Sequence, residues 1–256
     1  IGGQVAVATE LFNDGLVALE TFGDSRAIAF PILGIQAYLR RNDDDRVRAI
    51  LKSLGDRLRG RFTQHASTDW NWHEDHLNYD NARLPQALMA CGRATRNDDI
   101  VSLGVGVLEW LRDVQTNPSV GWFEPVGNQG WFPKSGSKAQ YDQQPLEAAA
   151  MIGACIEAYE CTQGEEWIQL AITCFDWYLV KNDRQLKLYD HASGGCRDGL
   201  QQDGVNENQA AESTLSYILS LLALYNLRGL TAIHNNGAKP EIESYPVDGS
   251  DMRLKT

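Results

Sequence analysis

The fold is decided by the stretch Tyr79-Asp80-Asn81-Ala82-Arg83, a polar cluster that is followed at once by an apolar run. Similar clusters recur at intervals of about 60 residues, the length of two helices with their loops. They are Gly23-Asp24-Ser25-Arg26-Ala27, Tyr141-Asp142-Gln143-Gln144-Pro145 and Asn206-Glu207-Asn208-Gln209-Ala210. Paired helices that all begin at the same end would gather these clusters on one face of the molecule. The repeat therefore predicts an all-α fold, an (α/α) toroid of helical hairpins with its pocket at that face.

Composition limits the possible functions. The 256 residues are 43% hydrophobic and 22% charged, which is ordinary for a globular protein. A net charge of −11 argues against a nucleic-acid groove and against an anionic membrane surface. No apolar run approaches the roughly 18 residues of a membrane span. We therefore predict a neutral or cationic ligand, with no nucleic-acid or membrane partner.

The two ends of the chain and the cysteines give further expectations. The chain begins with Ile1 and has no basic-then-apolar leader, so we expect that further hairpins or another domain precede it in a longer protein. Five cysteines, an odd number, lack metal-type spacing, and this usage is typical of buried thiols in a reducing, cytoplasmic compartment. The segment 237–256 lacks an apolar period, which predicts a toroid domain over 1–236 and a tail over 237–256.

Apolar residues recur at helical spacing along most of the chain, for example at Val47, Ile50, Leu51, Leu54 and Leu58. No segment shows a sustained period of two. The pattern predicts helices over 4–20, 25–41, 44–60, 82–94, 98–114, 143–161, 165–181 and 209–228. Pro31 lies inside the second of these, so that helix either kinks or begins late. The loops 62–80, 115–142 and 182–208 are longer than helix connections need, which favours a functional role.

These loops mix aromatic rings with carboxylates and amides. The richest runs are Asp69-Trp70-Asn71-Trp72-His73-Glu74-Asp75-His76 and Gly121-Trp122-Phe123-Glu124-Pro125. Flat aromatic faces suit the C–H faces of a sugar, and hydroxyl groups need polar partners. Paired carboxylates supply the acid and the base that glycosidic cleavage requires. The composition of the loops thus predicts a carbohydrate substrate.

Simpler roles remain open for most of these residues. Asp24, Asp80, Asp142 and Asn206 stand where helix N-caps are expected. Glu147 and Glu212 lie in first turns, where the helix dipole favours acids without any catalysis. The pair His73 and His76 lacks the i, i+4 spacing of a zinc protease motif, so we predict no metal. We also predict no cofactor, because no phosphate-cradling glycine-rich loop precedes a helix.

The strings Tyr79-Asp80-Asn81-Ala82-Arg83-Leu84-Pro85, Tyr141-Asp142-Gln143-Gln144-Pro145-Leu146-Glu147 and Asn206-Glu207-Asn208-Gln209-Ala210-Ala211-Glu212 together resemble the six-hairpin-glycosidase-like domain of bacterial carbohydrate-active proteins. This resemblance covers about residues 20–230. It implies an (α/α) barrel and a glycosidase activity, or a role beside a glycosyltransferase. Six hairpins of about 60 residues need about 360 residues, so this chain holds about four.

The resulting hypothesis is a carbohydrate-active domain that uses acid/base catalysis on a glycosidic substrate. We predict Asp80 and Asp142 as catalytic residues, with Glu74 and Glu212 as further acid/base candidates. The predicted substrate-binding residues are Trp72, Asn81, Arg83, Trp122, Trp131, Tyr141, Gln143, Gln144, Asp198 and Asn208. A non-catalytic helical-repeat domain that binds glycans or a protein remains the main alternative, and a sugar epimerase is a third.

Overall fold

A computed structural model describes residues 2–67 and 69–236 of the chain, and the predicted tail 237–256 lies outside the described residues. Helices dominate, in the order α1 (Gly2–Ala18), a 3-10 turn (Leu19–Thr21), α2 (Ser25–Leu39), α3 (Asp45–His65), α4 (Arg83–Thr95), α5 (Asp98–Val114), α6 (Pro145–Thr162), α7 (Glu165–Leu179) and α8 (Ala211–Asn236). Each predicted helix is present, and the all-α prediction is confirmed.

Two short antiparallel pairs interrupt the helices. Strand β1 (His76–Leu77) pairs with β2 (Phe132–Pro133), and β3 (Gly199–Gln201) pairs with β4 (Gly204–Asn206). All four strands lie in the long loops for which the sequence predicts a functional role. The first pair therefore joins two of these loops, and the second is a hairpin within the third.

Local sequence explains where the helices begin. The Asp24 carboxylate accepts hydrogen bonds from the backbone N–H groups of Arg26 and Ala27, and so caps α2 as predicted. Asn97 caps α5 in the same way. The late start considered for the second helix does not occur, because α2 begins at Ser25 and continues through Pro31.

Even-numbered helices form an inner row. Neighbours α2, α4, α6 and α8 pack successively against each other, and α3, α5 and α7 cover them from outside. The N-terminal ends meet, since Arg26 of α2 contacts the loop before α4 and Glu147 of α6 contacts Asp80 of that loop. The C-terminal ends also meet, since Arg93 of α4 and Glu157 of α6 form an ion pair. The inner helices α2, α4 and α6 are therefore parallel, the arrangement of an α/α toroid.

A charged network ties those C-terminal ends together. Two guanidinium nitrogens of Arg93 donate to one carboxylate oxygen of Glu157, at 2.9 and 2.7 Å. Arg40, the residue that follows α2, lies 3.8 Å from Glu157 and 3.0 Å from Glu160. Cations suit this end of the helices because the helix dipole is negative there.

Helix α8 carries an uncovered apolar stripe. Leu215, Leu219, Leu222 and Tyr225 recur at helical spacing and are exposed. Within the described residues, α8 is the last member of the inner row, so it packs on α6 but on no following inner helix. None of the described helices is long and apolar enough to cross a membrane.

Candidate functional site

The polar groups of several repeats converge where the inner helices begin. We call this group, formed by Arg26, Asp80, Asn81, Arg83, Glu147 and Glu212, the N-terminal cluster. Each inner helix presents unpaired backbone N–H groups and the positive end of its dipole at this position. The face therefore favours negative charge, which explains how three carboxyl groups can gather there.

Asp80 is the central member of the cluster. Its backbone is left-handed, with φ 52°, a conformation that Asp and Asn adopt more readily than most residues. Only 6% of Asp80 is exposed, and one carboxylate oxygen lies 3.3 Å from Nε of Arg83. Burial raises the pKa of Asp80, while Arg83 and Arg26 lower it and Glu212 raises it. The net effect is a raised pKa for Asp80, a kind of shift that burial beside charged groups often produces at functional sites.

Glu147 holds Asp80 in place from the neighbouring helix. The backbone N–H of Asp80 donates to one carboxyl oxygen of Glu147, and the other oxygen has no hydrogen-bond partner. Only 2% of Glu147 is exposed, and burial raises its pKa to about 8. Glu147 is therefore mainly a neutral acid at pH 7. From the sequence, Glu147 is explained as an acid in the first turn of a helix. Its contact with Asp80 depends on how two repeats pack and cannot be read from the local sequence.

Replacement of Glu147 by Gln should change how stability depends on pH. Folded Glu147 keeps a proton that the unfolded chain releases above its ordinary pKa of 4.5, so its contribution to stability falls as pH rises from 4.5 towards 8. The amide cannot titrate, yet it keeps the acceptor for the Asp80 N–H. We expect Glu147→Gln to match the wild type in stability near pH 4 and to exceed it by several kcal/mol near pH 8.

Urea unfolding at a series of pH values measures this difference. Glu165→Gln, at an exposed first-turn glutamate of α7, is the matched control and should follow the wild type throughout. A constant difference between Glu147→Gln and wild type across the pH range would contradict the assignment of a neutral Glu147.

Arg26 fixes the loop that carries Asp80. Its buried guanidinium donates to the backbone oxygen of Tyr79 at 2.7 Å and to Oδ1 of Asn81 at 3.2 Å, and also to Asn78. It lies 5.0 Å from the centre of the Tyr79 ring. Arg26 is not among the site residues that the sequence predicts. Its position two residues after the Asp24 cap gives no sign that it contacts the loop before α4.

Glu74 differs from the other acids. It lies 3.4 Å from Nη1 of Arg26 and 3.5 Å from Nε2 of His73. Burial opposes its ionisation, but His73 and Arg26 outweigh burial and lower the pKa of Glu74 to about 2. Glu74 is thus an ionised carboxylate at neutral pH, which suits an anchor for Arg26 better than a proton donor.

Asp142 does not join the contacts of the N-terminal cluster. Its two carboxylate oxygens accept from Nε2 of Gln129 at 3.0 Å and from Nε2 of Gln201 at 3.1 Å. Together with Arg184, Gln202 and Asp203, these residues line an open depression of about 600 Å³. The predicted pair of catalytic aspartates is therefore placed in two different polar surroundings.

Several predicted ligand-binding residues are buried instead. Trp72 is 0% exposed and packs against Phe62, His73 and Trp110, so its ring is not a platform for a sugar. Asn81 is buried and uses its amide on Asn78. Gln143 is buried and is bonded to Trp177 and Asp183.

The remaining predicted residues lie nearer the surface. Trp122, Trp131, Tyr141 and Gln144 are partly buried, and their role in binding a sugar stays a prediction. Asp198 accepts hydrogen bonds from Ala210 N at 2.9 Å and from Ser213 Oγ at 2.7 Å, and therefore caps the start of α8. Asn208 is exposed.

The sequence predicts no metal, and this stays a prediction. Within 2–67 and 69–236, no group of three or more His, Cys, Asp or Glu side chains is arranged to hold an ion. Of the acids near the starts of the inner helices, Asp80 lies beside the guanidinium group of Arg83, and Glu74 lies beside that of Arg26.

Comparison with known proteins shows the fold. No protein-family model and no curated protein sequence matches the chain. Among solved structures, the chain is similar to the one entitled "Crystal structure of D-mannose isomerase", with a TM-score of 0.53 and 16% sequence identity. The match covers 79% of this chain and 55% of the other, so the chain spans about half the length of that structure. At this identity the similarity shows a shared toroid architecture.

Proposed function

We propose that the N-terminal cluster is part of a carbohydrate-processing site in which Asp80 transfers a proton. The observation that carries the proposal is the state of Asp80. Its carboxyl group is buried at the meeting point of the inner helices, it has a raised pKa, and it lies beside a guanidinium group. Proton-transfer catalysts need a pKa shifted towards the working pH, and burial next to charged groups provides such shifts.

Glu212 is the second carboxyl group of the proposed site. It lies in the first turn of α8 and is close enough to Asp80 to raise the pKa of that residue. Glu212 is exposed, whereas Asp80 is buried, so the two acids have different surroundings. In a pair of carboxyl groups, different surroundings give different pKa values, so that one group can act as the acid and the other as the base.

The sugar assignment rests on two further supports. The loops around the cluster are rich in aromatic and amide side chains, and the toroid is shared with a protein whose title names a sugar isomerase. That title also favours a second candidate reaction, the isomerisation of a free sugar, in which an acid/base group moves a proton between neighbouring carbons. Hydrolysis of a glycoside uses the same kinds of groups but needs a water molecule and a leaving group.

A substrate screen of the full chain separates the two reactions. Glycosides are assayed for the release of reducing sugar, and free aldoses and ketoses are assayed for interconversion by NMR. Release of reducing sugar supports hydrolysis, and conversion between aldose and ketose supports isomerisation. Absence of both reactions over a broad panel would contradict the proposed function and favour a binding domain.

A further inference from the structure

The depression beside Asp142 is a second polar site, separate from the contacts of Asp80. Three segments build it: the loop that holds Gln129, the turn after α7 that holds Arg184, and the β3–β4 hairpin with Gln201, Gln202 and Asp203. All of the lining side chains are polar, and three of them are glutamines. Each amide offers both donors and an acceptor, which is the combination that a sugar hydroxyl uses.

The charged groups of the depression favour a neutral ligand over an anion or a metal cation. Two carboxylates, Asp142 and Asp203, outnumber the single guanidinium of Arg184, so an anion would be repelled. A cation is disfavoured for a different reason. The amide N–H groups of Gln129 and Gln201 point at Asp142, and a metal ion there would meet their donor hydrogens. A polyhydroxylated neutral molecule can instead exchange hydrogen bonds with both amides and the carboxylate.

The backbone holds this site in a fixed shape. Gln143 exchanges two backbone hydrogen bonds with Leu200 of β3, at 3.0 and 2.9 Å. The backbone N–H of Gln129 donates to the Tyr141 oxygen at 2.9 Å, and Asn128 donates to the Asp142 oxygen at 2.9 Å. The Arg184 guanidinium lies 5.0 Å from the centre of the Tyr141 ring, a cation–π contact that orients its planar group. Preorganised polar groups bind with less loss of entropy than mobile ones.

From this geometry we propose that the depression binds one neutral sugar unit of an oligosaccharide, as a subsite apart from Asp80. The inference rests on the proposed function for the class of ligand and deepens it, because it names an oligosaccharide rather than a lone monosaccharide as the substrate class. Asp142, Gln129 and Gln201 bind the hydroxyl groups, and Arg184 forms one wall.

Saturation-transfer difference NMR tests the subsite, with maltotriose, cellotriose and mannotriose as probes at millimolar concentration. The compared proteins are wild type, Asp142→Ala, Gln201→Ala and Asp80→Asn, with Gln169→Ala on the exposed face of α7 as a control. We expect at least one trisaccharide to receive saturation from wild type, Asp80→Asn and Gln169→Ala. Asp142→Ala and Gln201→Ala should weaken binding about tenfold, the effect of one lost charge-assisted polar contact.

The variants also separate this inference from the proposed function. Binding that is lost in Asp80→Asn but kept in Asp142→Ala and Gln201→Ala would overturn the subsite and leave the role of Asp80 standing. A lack of saturation transfer from wild type would overturn the subsite as well. If Asp142→Ala does not fold, Gln201→Ala still tests the subsite, because Gln201 lies in a short surface hairpin.

Discussion

Turnover by Asp80→Asn should fall by about 10²–10⁴-fold, the range that general acid/base catalysis contributes, while KM changes little. The substitution removes the titratable proton and keeps the shape of the side chain. Asn also tolerates the left-handed backbone at this position, where φ is 52°, so the loop should not be disturbed. The measurement is steady-state kinetics on whichever substrate the screen identifies.

The pH profile adds a readout that a structural role would not change. If Asp80 accepts a proton, activity falls as pH decreases through its pKa, which burial places above the usual value. This acidic limb should be absent from the residual activity of Asp80→Asn. Asp99→Asn, at an exposed aspartate in the first turn of α5, serves as the control and should keep wild-type rates. Unchanged turnover in Asp80→Asn would remove Asp80 from the mechanism.

Asp142→Asn provides the informative comparison. Both aspartates were predicted from the same sequence pattern, but the structure surrounds Asp142 with glutamine amides and Asp80 with charged groups. We therefore expect Asp142→Asn to affect KM more than kcat. The opposite result, a large loss of kcat in Asp142→Asn alone, would move the chemistry to the depression.

The sequence predicted the helices well because their signals are local. Apolar spacing and the Asp24 cap are read from neighbouring residues, and both act within one helix. The repeat also predicted correctly that the inner helices begin on one side. These features need no knowledge of which loops approach each other.

Site residues were harder to predict because burial depends on tertiary contacts. Trp72 has the same sequence surroundings as a sugar platform, but the loop packs it between Phe62 of α3 and Trp110 of α5. The helix dipole already explains an acid in the first turn, where Glu147 lies. Nothing in the sequence therefore indicates its hydrogen bond with the Asp80 backbone. Arg26 and Glu147 acquire their roles only when successive repeats meet.

Replacement of Arg93 by Met should lower the free energy of unfolding by about 1.5–3 kcal/mol at pH 7, the range for hydrogen bonds to a charged group, because Glu157 loses its closest cation and keeps the longer contact with Arg40. The Glu157 side chain is only 6% exposed, and Arg93 gives it two hydrogen bonds. Methionine replaces most of the volume of the arginine stem but cannot donate. Chemical denaturation measures the change, and the deficit should shrink at acidic pH because protonation neutralises Glu157.

Arg40→Met is the matched control, because Arg40 contacts the same carboxylate from 3.8 Å with a side chain that is 51% exposed. Exposed ion pairs contribute about 0–1 kcal/mol, so Arg40→Met should change stability little. The double variant Arg93→Met/Glu157→Gln should recover part of the loss by removing the buried charge. Equal losses in Arg93→Met and Arg40→Met would show that burial does not set the strength of this network.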